Sequence, residues 1–276
     1  MIKQAIIPLA GLGTRLLPLT SVFAKELLPI NGKPGIEYIL DECIEAGIKE
    51  IIFIISKKKM MIKKYFYNDK FYKNIIKKKK DPRIISEYKK ILKYKKMIKF
   101  VFQNKPLGTG DAVLKTSKFI KDKYFLMLLP DDLIIKKNCS KSMISINKKF
   151  NSSVMASMKV KKNNVSRWGI YNIKKIINKN NFMIKSVIEK PSIKSAPSNN
   201  AVIGRYILPK TIFKKLKKLK PGKGNEMHIT DAIQSLIDEN EKFIGHNFQG
   251  KYLDCGTMGG YINSSLEISK IWNYVW

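Results

Sequence analysis

Apolar runs of strand length alternate with segments of helical period through the first half of the chain, and this rhythm limits the fold more than any single motif. KQAIIPL, residues 3–9, reads as a buried strand. GIEYILDECIEAGI, residues 35–48, carries Ile36, Ile39, Leu40, Cys43 and Ile44 at helical spacing, and Gly47 stands where a helix would stop. KEIIFIIS (49–56) is the next strand, and MIKFVFQ (97–103) another. A helix near Asp111–Phe119 then leads to the strand YFLMLLPDD, residues 124–132. Strands separated by helices pair in parallel, because the crossover is long enough to carry the chain back to the same edge. The expectation is a Rossmann-like α/β layer, a mixed and mainly parallel sheet flanked by helices.

Residues 57–96 are rich in Lys and Tyr and read as solvated helices without a motif. From Ser152 the character changes. SSVMASMKV, GIYNI, FMIKSVIEK and AVIGRYIL are β-rich and separated by Asn, Lys and Ser-Pro turns. Two helices follow, PKTIFKKLKKL and TDAIQSLIDEN, then short strands around KFIGHNF and KYLDCG, and a last helix starting near Met258. With no repeat and no linker of disordered composition, residues 1–276 read as one domain, a ligand-binding half at about 1–150 and a β-rich half at about 151–276.

The formal net charge of +33 raises the question of nucleic acid. Only four of the 54 basic residues are arginine, namely Arg15, Arg83, Arg167 and Arg205. Arginine is the side chain that forks onto phosphate and guanine, so a dedicated nucleic-acid binder would use more of it. The lysines are spread along the chain among many Ile and Asn, residues that share AT-rich codons. A solvated, compositionally biased surface is the reading, with no nucleic-acid partner. Cys43, Cys139 and Cys255 are too far apart for a disulfide framework or a zinc cluster, which suits a reducing cytoplasm. No cleavable signal pattern and no apolar stretch of membrane-spanning length is present, so no membrane partner is expected.

Five stretches carry chemistry. Gly11 and Gly13 follow the first strand, where bare backbone can approach a ligand and its N–H groups can form an anion-binding hollow. Arg15 and Lys25 come just after, and several cations aimed from different sides are what a triphosphate needs. A plain βα turn with surface cations would look the same in isolation. Gln103 ends a strand before a Gly-rich turn through Gly108, and an amide offers the donor and acceptor that one edge of uracil asks for. A polar strand end with a helix cap is the alternative there. Asp131 and Asp132 end an apolar strand, and Asp254 ends a shorter one. Such carboxylates beside a phosphate site suit Mg²⁺, while helix capping would also explain Asp132. Glu189 and Lys190 would face opposite ways in a regular strand and in isolation read as a surface pair, but at an irregular strand end one could meet sugar hydroxyls and the other a phosphate.

Taken together, AGLGTRLLPLTSVFAKELLPINGKP resembles the G-x-G-T-R-x-[LM]-P-x-T-x₄-K-E-[ML]-L-P signature of sugar-1-phosphate nucleotidylyltransferases, and most closely their bacterial uridylyl-transferring branch. The likeness continues in order through ECIEAGIKEI, PLGTGDAVL, LPDDLI, RWGIY, IEKPS, APSNNAVIGRYIL, PGKGNEMHITDAI and DCGTMGGYINS. The resemblance implies the nucleotide-diphospho-sugar transferase fold, with the second half binding the sugar. It implies that Ala10, Gly11, Gly13, Thr14 and the backbone beyond hold UTP, with Arg15 and Lys25 on its phosphates, Glu26 close by, and Gln103 and Gly108 at the uracil. Asp131 and Asp254 would be the Mg²⁺ carboxylates. Gly169, Glu189 and Gly204 would contact the sugar of glucose 1-phosphate, and Lys190 its phosphate. A homodimer or homotetramer is implied as well. A thymidylyltransferase or a non-catalytic regulatory copy are the competing readings. The chain departs from the pattern at Ala24, where proline is usual before the Lys-Glu pair, at Trp168 in place of tyrosine, and in a shorter C-terminus.

Overall fold

The first strand, β1 (Gln4–Pro8), shows why a sheet lies at the centre: Ala5 and Ile7 enter one hydrophobic cluster and Ile6 the opposite one. Every residue from Ile51 to Ile55 is likewise buried, with Ile51, Phe53 and Ile55 on one side and Ile52 and Ile54 on the other. A strand apolar on both faces needs helices on both faces. The computed structural model describes residues 2–271. After β1 come a tight pair of two-residue strands, β2 (Pro29–Ile30) and β3 (Lys33–Pro34), then α1 (Gly35–Glu45) and β4 (Glu50–Ile55). Helices α2 (Met60–Tyr67), α3 (Asp69–Lys79) and α4 (Pro82–Met97) precede β5 (Ile98–Phe102), α5 (Gly108–Leu114) and β6 (Tyr124–Leu128). The second half holds β7 (Asp132–Ile135), α6 (Cys139–Phe150), β8 (Ser153–Lys159), β9 (Gly169–Asn178), β10 (Asn181–Glu189) and β11 (Asn200–Pro209). It closes with α7 (Ile212–Lys218), α8 (Ile229–Asp238), β12 (Phe243–Asn247), β13 (Lys251–Asp254) and α9 (Met258–Ser269).

Nine strands form one mixed sheet in the order β5-β4-β1-β6-β11-β8-β12-β10-β9. The pairs β5–β4, β4–β1 and β1–β6 are parallel, as the strand-helix rhythm predicts. Beyond β6 the pairing turns antiparallel, except that β12 runs parallel to β8. Residues of α1, α2, α4, α6 and α9 cover one face, and those of α5, α7 and α8 the other. Parallel strands point their carboxyl ends to one rim, so the segments after Pro8, Phe102 and Leu128 emerge together. Because β11 is antiparallel to β6, its Gly204 end reaches the same rim, where Leu129 N–H bonds the Gly204 carbonyl at 2.8 Å. Ala201 of β11 pairs with Ile170 of β9, and Gly169 with Glu189, which carries that rim into the β-rich half.

Several local readings change. The strand predicted over 124–132 stops at Leu128. Pro130 cannot donate to a ladder, so Asp131 lies in a loop, and Asp132 opens β7 instead of capping a helix. There β7 pairs with β13 in a separate two-stranded ribbon. The helix predicted near 111–119 occupies Gly108–Leu114, with turns from Lys115 onward. Helix α6 has only Cys139 and Met143 as fully buried apolar anchors, too sparse a stripe to announce itself in the sequence. Within the lysine-rich segment α3 has no buried residue, but α2 and α4 bury Ile62, Phe66, Tyr88, Ile91 and Tyr94. Among the described residues no helix is long and apolar enough to cross a membrane, and Cys43, Cys139 and Cys255 are free and buried.

Candidate active site

The loop after β1 is held by Leu9 N–H on the Ile54 carbonyl at 2.7 Å, and Ala10 is buried behind it. A side chain at Gly11 would meet nothing within 4 Å, so that position opens onto free space. Gly13 sits at φ +71°, where Thr20 Oγ1 donates to its carbonyl at 2.8 Å and folds residues 13–20 into a tight bracket. Lys25 opens a single 3₁₀ turn, Lys25–Leu27. Before it, Ala24 keeps φ at −68°, within the range a proline ring imposes. Its N–H, which proline lacks, donates to Met61 Sδ at 3.0 Å.

Asp131 is the meeting point. Lys25 Nζ donates to its Oδ2 at 2.6 Å, and Arg15 Nη2 lies 3.7 Å from the same oxygen. Lys25 is 14% exposed and Arg15 66%, so one cation is held inside the site and the other reaches in from solvent. The ribbon pairing sets Asp254 opposite Asp132, and Cys255 N–H bonds the Asp131 carbonyl at 2.8 Å. A Cβ at Gly256 would fall 2.9 Å from Asp131 Oδ2, 3.2 Å from Asp254 Oδ1 and 3.2 Å from Arg15 Nη2. Two carboxylates and a guanidinium therefore converge on a space that only glycine leaves open. Burial pushes the Asp131 carboxyl up, but the Lys25 ammonium and then Arg15 outweigh it and hold it below its ordinary 3.8.

Asp132 points away from this space. Tyr252 Oη donates to its Oδ1 at 2.6 Å and Gly204 N–H to its Oδ2 at 2.7 Å. Burial, then the charge on Asp131, pushes its carboxyl up to about 6. Gly204 has to be bare, since a Cβ would lie 2.5 Å from Asp132 Oδ2. Sequence reasoning passed over the support beneath this loop. Arg205, fully buried, bonds both Glu42 oxygens through Nε at 3.1 Å and Oε2 through Nη2 at 2.8 Å. Its remaining N–H groups reach the carbonyls of Leu129 (3.1 Å), Gly204 (3.0 Å) and Asp132 (2.6 Å). The signal was available: an arginine inside the apolar run AVIGRYIL, and a glutamate beside Cys43 on the buried side of α1.

Glu26 is also buried, and both its oxygens accept from Lys59 Nζ, at 2.7 and 2.8 Å. Burial pulls the Lys59 ammonium down and Glu26 pulls it back up, leaving it below the ordinary lysine value. The lysine-rich segment thus contributes one structural cation to the Lys25 turn, hidden among solvated neighbours of the same type. Gln103 follows β5, with its N–H on the Ile55 carbonyl at 2.9 Å. Gly108, at φ +92°, is stitched to the segment before α8, because a Cβ there would lie 2.6 Å from the Met227 carbonyl.

A cleft of about 480 Å³ runs between these pieces, lined by Ala10, Gly11, Gly13, Thr14, Lys25, Glu26, Gln103, Gly108, Asp131 and Glu226 among others. That volume suits a nucleotide-sized ligand. Volume does not single it out, because a hollow of about 480 Å³ between α1 and β7 carries none of the predicted residues. Gly169, Glu189, Lys190 and Gly204 stand on the same rim but are not in the wall of the 480 Å³ cleft. β10 ends at Glu189, and Lys190 turns to φ +47° with its N–H on the Trp168 carbonyl at 3.0 Å, so the strand end is irregular. Trp168 packs edge-on to Tyr252, which connects this corner to Asp132.

Compared with known proteins, residues 4–271 match the family described as Nucleotidyl transferase. A Streptococcus pyogenes serotype M3 protein named UTP–glucose-1-phosphate uridylyltransferase 2 is 36% identical over 274 residues, 96% of this chain and 90% of its own. The structure of UDP-glucose pyrophosphorylase complexed with UDP-glucose superposes with a TM-score of 0.86 at 35% identity, over 99% of this chain and 100% of that one. The UTP-bound UGPase from Acinetobacter baumannii superposes with a TM-score of 0.89 at 31% identity, over 99% of this chain and 95% of that one.

Proposed function

The chain belongs to the nucleotidyl transferase family, and from that premise we propose that it transfers the uridylyl group of UTP to glucose 1-phosphate, giving UDP-glucose and pyrophosphate. The observation that carries this reading is the convergence of Arg15, Lys25 and Asp131 on one rim of a cleft with a glycine loop on one side and Gln103 on the other. A phosphate oxygen of the sugar phosphate forms a bond to the α-phosphorus, and the bond from that phosphorus to the departing pyrophosphate breaks. No protein nucleophile is required. The protein's work is positioning and charge compensation.

The backbone from Ala10 to Thr14 approaches the triphosphate closely, and Arg15 and Lys25 neutralise it as charge shifts to the leaving group. Lys25, clasped by Asp131, is a shared cation that the phosphates take over on binding. Glu26, fixed by Lys59, sets the turn that presents Lys25. Gln103 and Gly108 receive the uracil. Gly169, Glu189 and Gly204 border the sugar, and Lys190 meets its phosphate. Asp131 and Asp254 would hold Mg²⁺: one or two carboxylates with the remaining positions left to water and phosphate is the usual arrangement for this ion, and the opening at Gly256 leaves room for it. When bound, the ion supplies charge neutralisation at phosphate oxygens. The nucleotide-binding and sugar-binding halves form one domain of a cytoplasmic enzyme. A homodimer or homotetramer would cover the apolar stripe of Met258, Ile262 and Leu266, one turn apart on α9 and each exposed.

Purified protein with Mg²⁺, UTP and glucose 1-phosphate is expected to release pyrophosphate and form UDP-glucose; folded protein that turns over neither substrate would overturn the proposal. Asp131→Asn is expected to lose on the order of 100-fold in rate while keeping its circular dichroism spectrum, and near-normal turnover would remove Asp131 from the metal site.

A further inference from the structure

The side-chain amide of Gln103 is not free to turn. Its Nε2 donates one hydrogen to the Gly108 carbonyl at 3.0 Å and the other to Asp111 Oδ2 at 2.8 Å. Gln103 and Asp111 are 5% and 7% exposed, so water does not compete for these bonds. An ionised carboxylate only accepts. Rotating the amide by half a turn would set its carbonyl oxygen against the carboxylate oxygen, with both hydrogens pointing into the cleft. Lys115 Nζ, 3.2 Å from Asp111 Oδ1, pairs the charge on the outer side. With both hydrogens engaged, Oε1 is what Gln103 has left to present to the cleft that it lines.

This orientation bears on which base can be accepted. Uracil and thymine carry an N–H at ring position 3, flanked by two carbonyls, and need an acceptor opposite it. Cytosine carries a bare nitrogen there, and an oxygen opposite that lone pair is repulsive. A freely turning amide would serve either base, since it can show its donor or its acceptor. We propose that Asp111 is a specificity-determining residue that locks Gln103 as an acceptor and so selects imide-bearing pyrimidine nucleotides against cytidine nucleotides. Asp111 does not line the cleft and acts through Gln103. The inference rests on the reading that Gln103 faces the base.

The test is the ratio of kcat/KM for UTP to that for CTP, measured with Mg²⁺ and glucose 1-phosphate on the whole chain. The ratio is internal to each preparation, so a lower folded fraction leaves it unchanged. Asp111→Asn, whose amide can donate to Gln103 Oε1, is expected to lower the ratio by at least about tenfold, since an unmet polar group opposite the wrong base is what enforces such discrimination. Asp111→Ser, which removes the carboxylate in a smaller side chain, is expected to lower it too, and Asp111→Glu to retain most of it. A ratio within twofold of the wild type in Asp111→Asn or Asp111→Ser, while Gln103→Ala lowers it, would overturn the role of Asp111 alone. An unchanged ratio in Gln103→Ala as well would overturn the placement of Gln103 at the base.

Discussion

Replacing Glu42 by glutamine tests the buried support under Asp131. The change keeps the shape of the side chain and removes only its charge. Arg205 is fully buried and Glu42 7% exposed, so the guanidinium would lose its counter-charge where solvent cannot replace it. Burial works against a charged Arg205, and Glu42 outweighs that penalty, holding the guanidinium more firmly protonated than usual. It cannot escape by giving up its proton. Of the three contacts at 3.1, 3.1 and 2.8 Å between opposite charges, only those to the one amide oxygen could persist, weakened, while the amide nitrogen would set a second donor against the guanidinium. Ser140, which donates to Glu42 Oε1 at 2.5 Å through Oγ, would lose a charged acceptor as well. Breaking one partner of such a pair costs about 3–5 kcal/mol, a fifth or more of the ~5–15 kcal/mol that holds a typical domain folded. Urea unfolding at pH 7, followed by circular dichroism, should show a midpoint lowered by that free energy divided by the slope, with the slope itself unchanged. A loss below about 1 kcal/mol would mean the pair is not dry in solution, and the reasoning would fail. The double variant Glu42→Leu with Arg205→Met should recover part of the stability, because apolar replacement removes both desolvation costs. It should not recover turnover, because the carbonyls of Leu129 and Asp132, on either side of Asp131, then lack their donor.

Asp132 sets a pH dependence of definite sign. Its folded carboxyl is pushed up to about 6 from an ordinary 3.8, so between those values the native chain holds a proton that the unfolded chain gives up. Stability from this group is fully present below 3.8 and is lost as pH rises through 6. The wild type should therefore gain on Asp132→Asn as pH falls from 7 to 4, by at most ~3 kcal/mol, in paired urea titrations without added metal; a difference that is flat or opposite in sign would refute the shift. Gly108→Ala places a Cβ 2.6 Å from the Met227 carbonyl at a φ of +92°, so a loss on the order of 2 kcal/mol is expected together with a raised KM for UTP. Unchanged melting and unchanged KM would show that the turn can move away without cost.

The sequence alone was enough for the parallel half of the sheet, because a strand buried on both faces has to be continuously apolar and its crossover helix has to show a period near 3.6. It also offered Gly13, Arg15, Lys25, Gln103 and Asp131 as candidates, since those residue types stand where parallel strands end, and the direction of the strands brings strand ends to one rim. Neighbour relations across long separations are a different matter. Glu42 and Arg205 are 163 positions apart, and Lys59 is 33 from Glu26. A buried ion pair leaves no periodic trace, and in a chain with 54 basic residues a structural lysine looks like any solvated one. The inward turn of Asp132 against the outward turn of Asp131 escaped for a related reason. Adjacent carboxylates are chemically identical in the sequence, and only the pairing of β7 with β13, the bare Gly204 and the Arg205 carbonyl contacts decide which one faces the cleft. Local chemistry chose the candidates, and the packing of distant segments assigned them their environments.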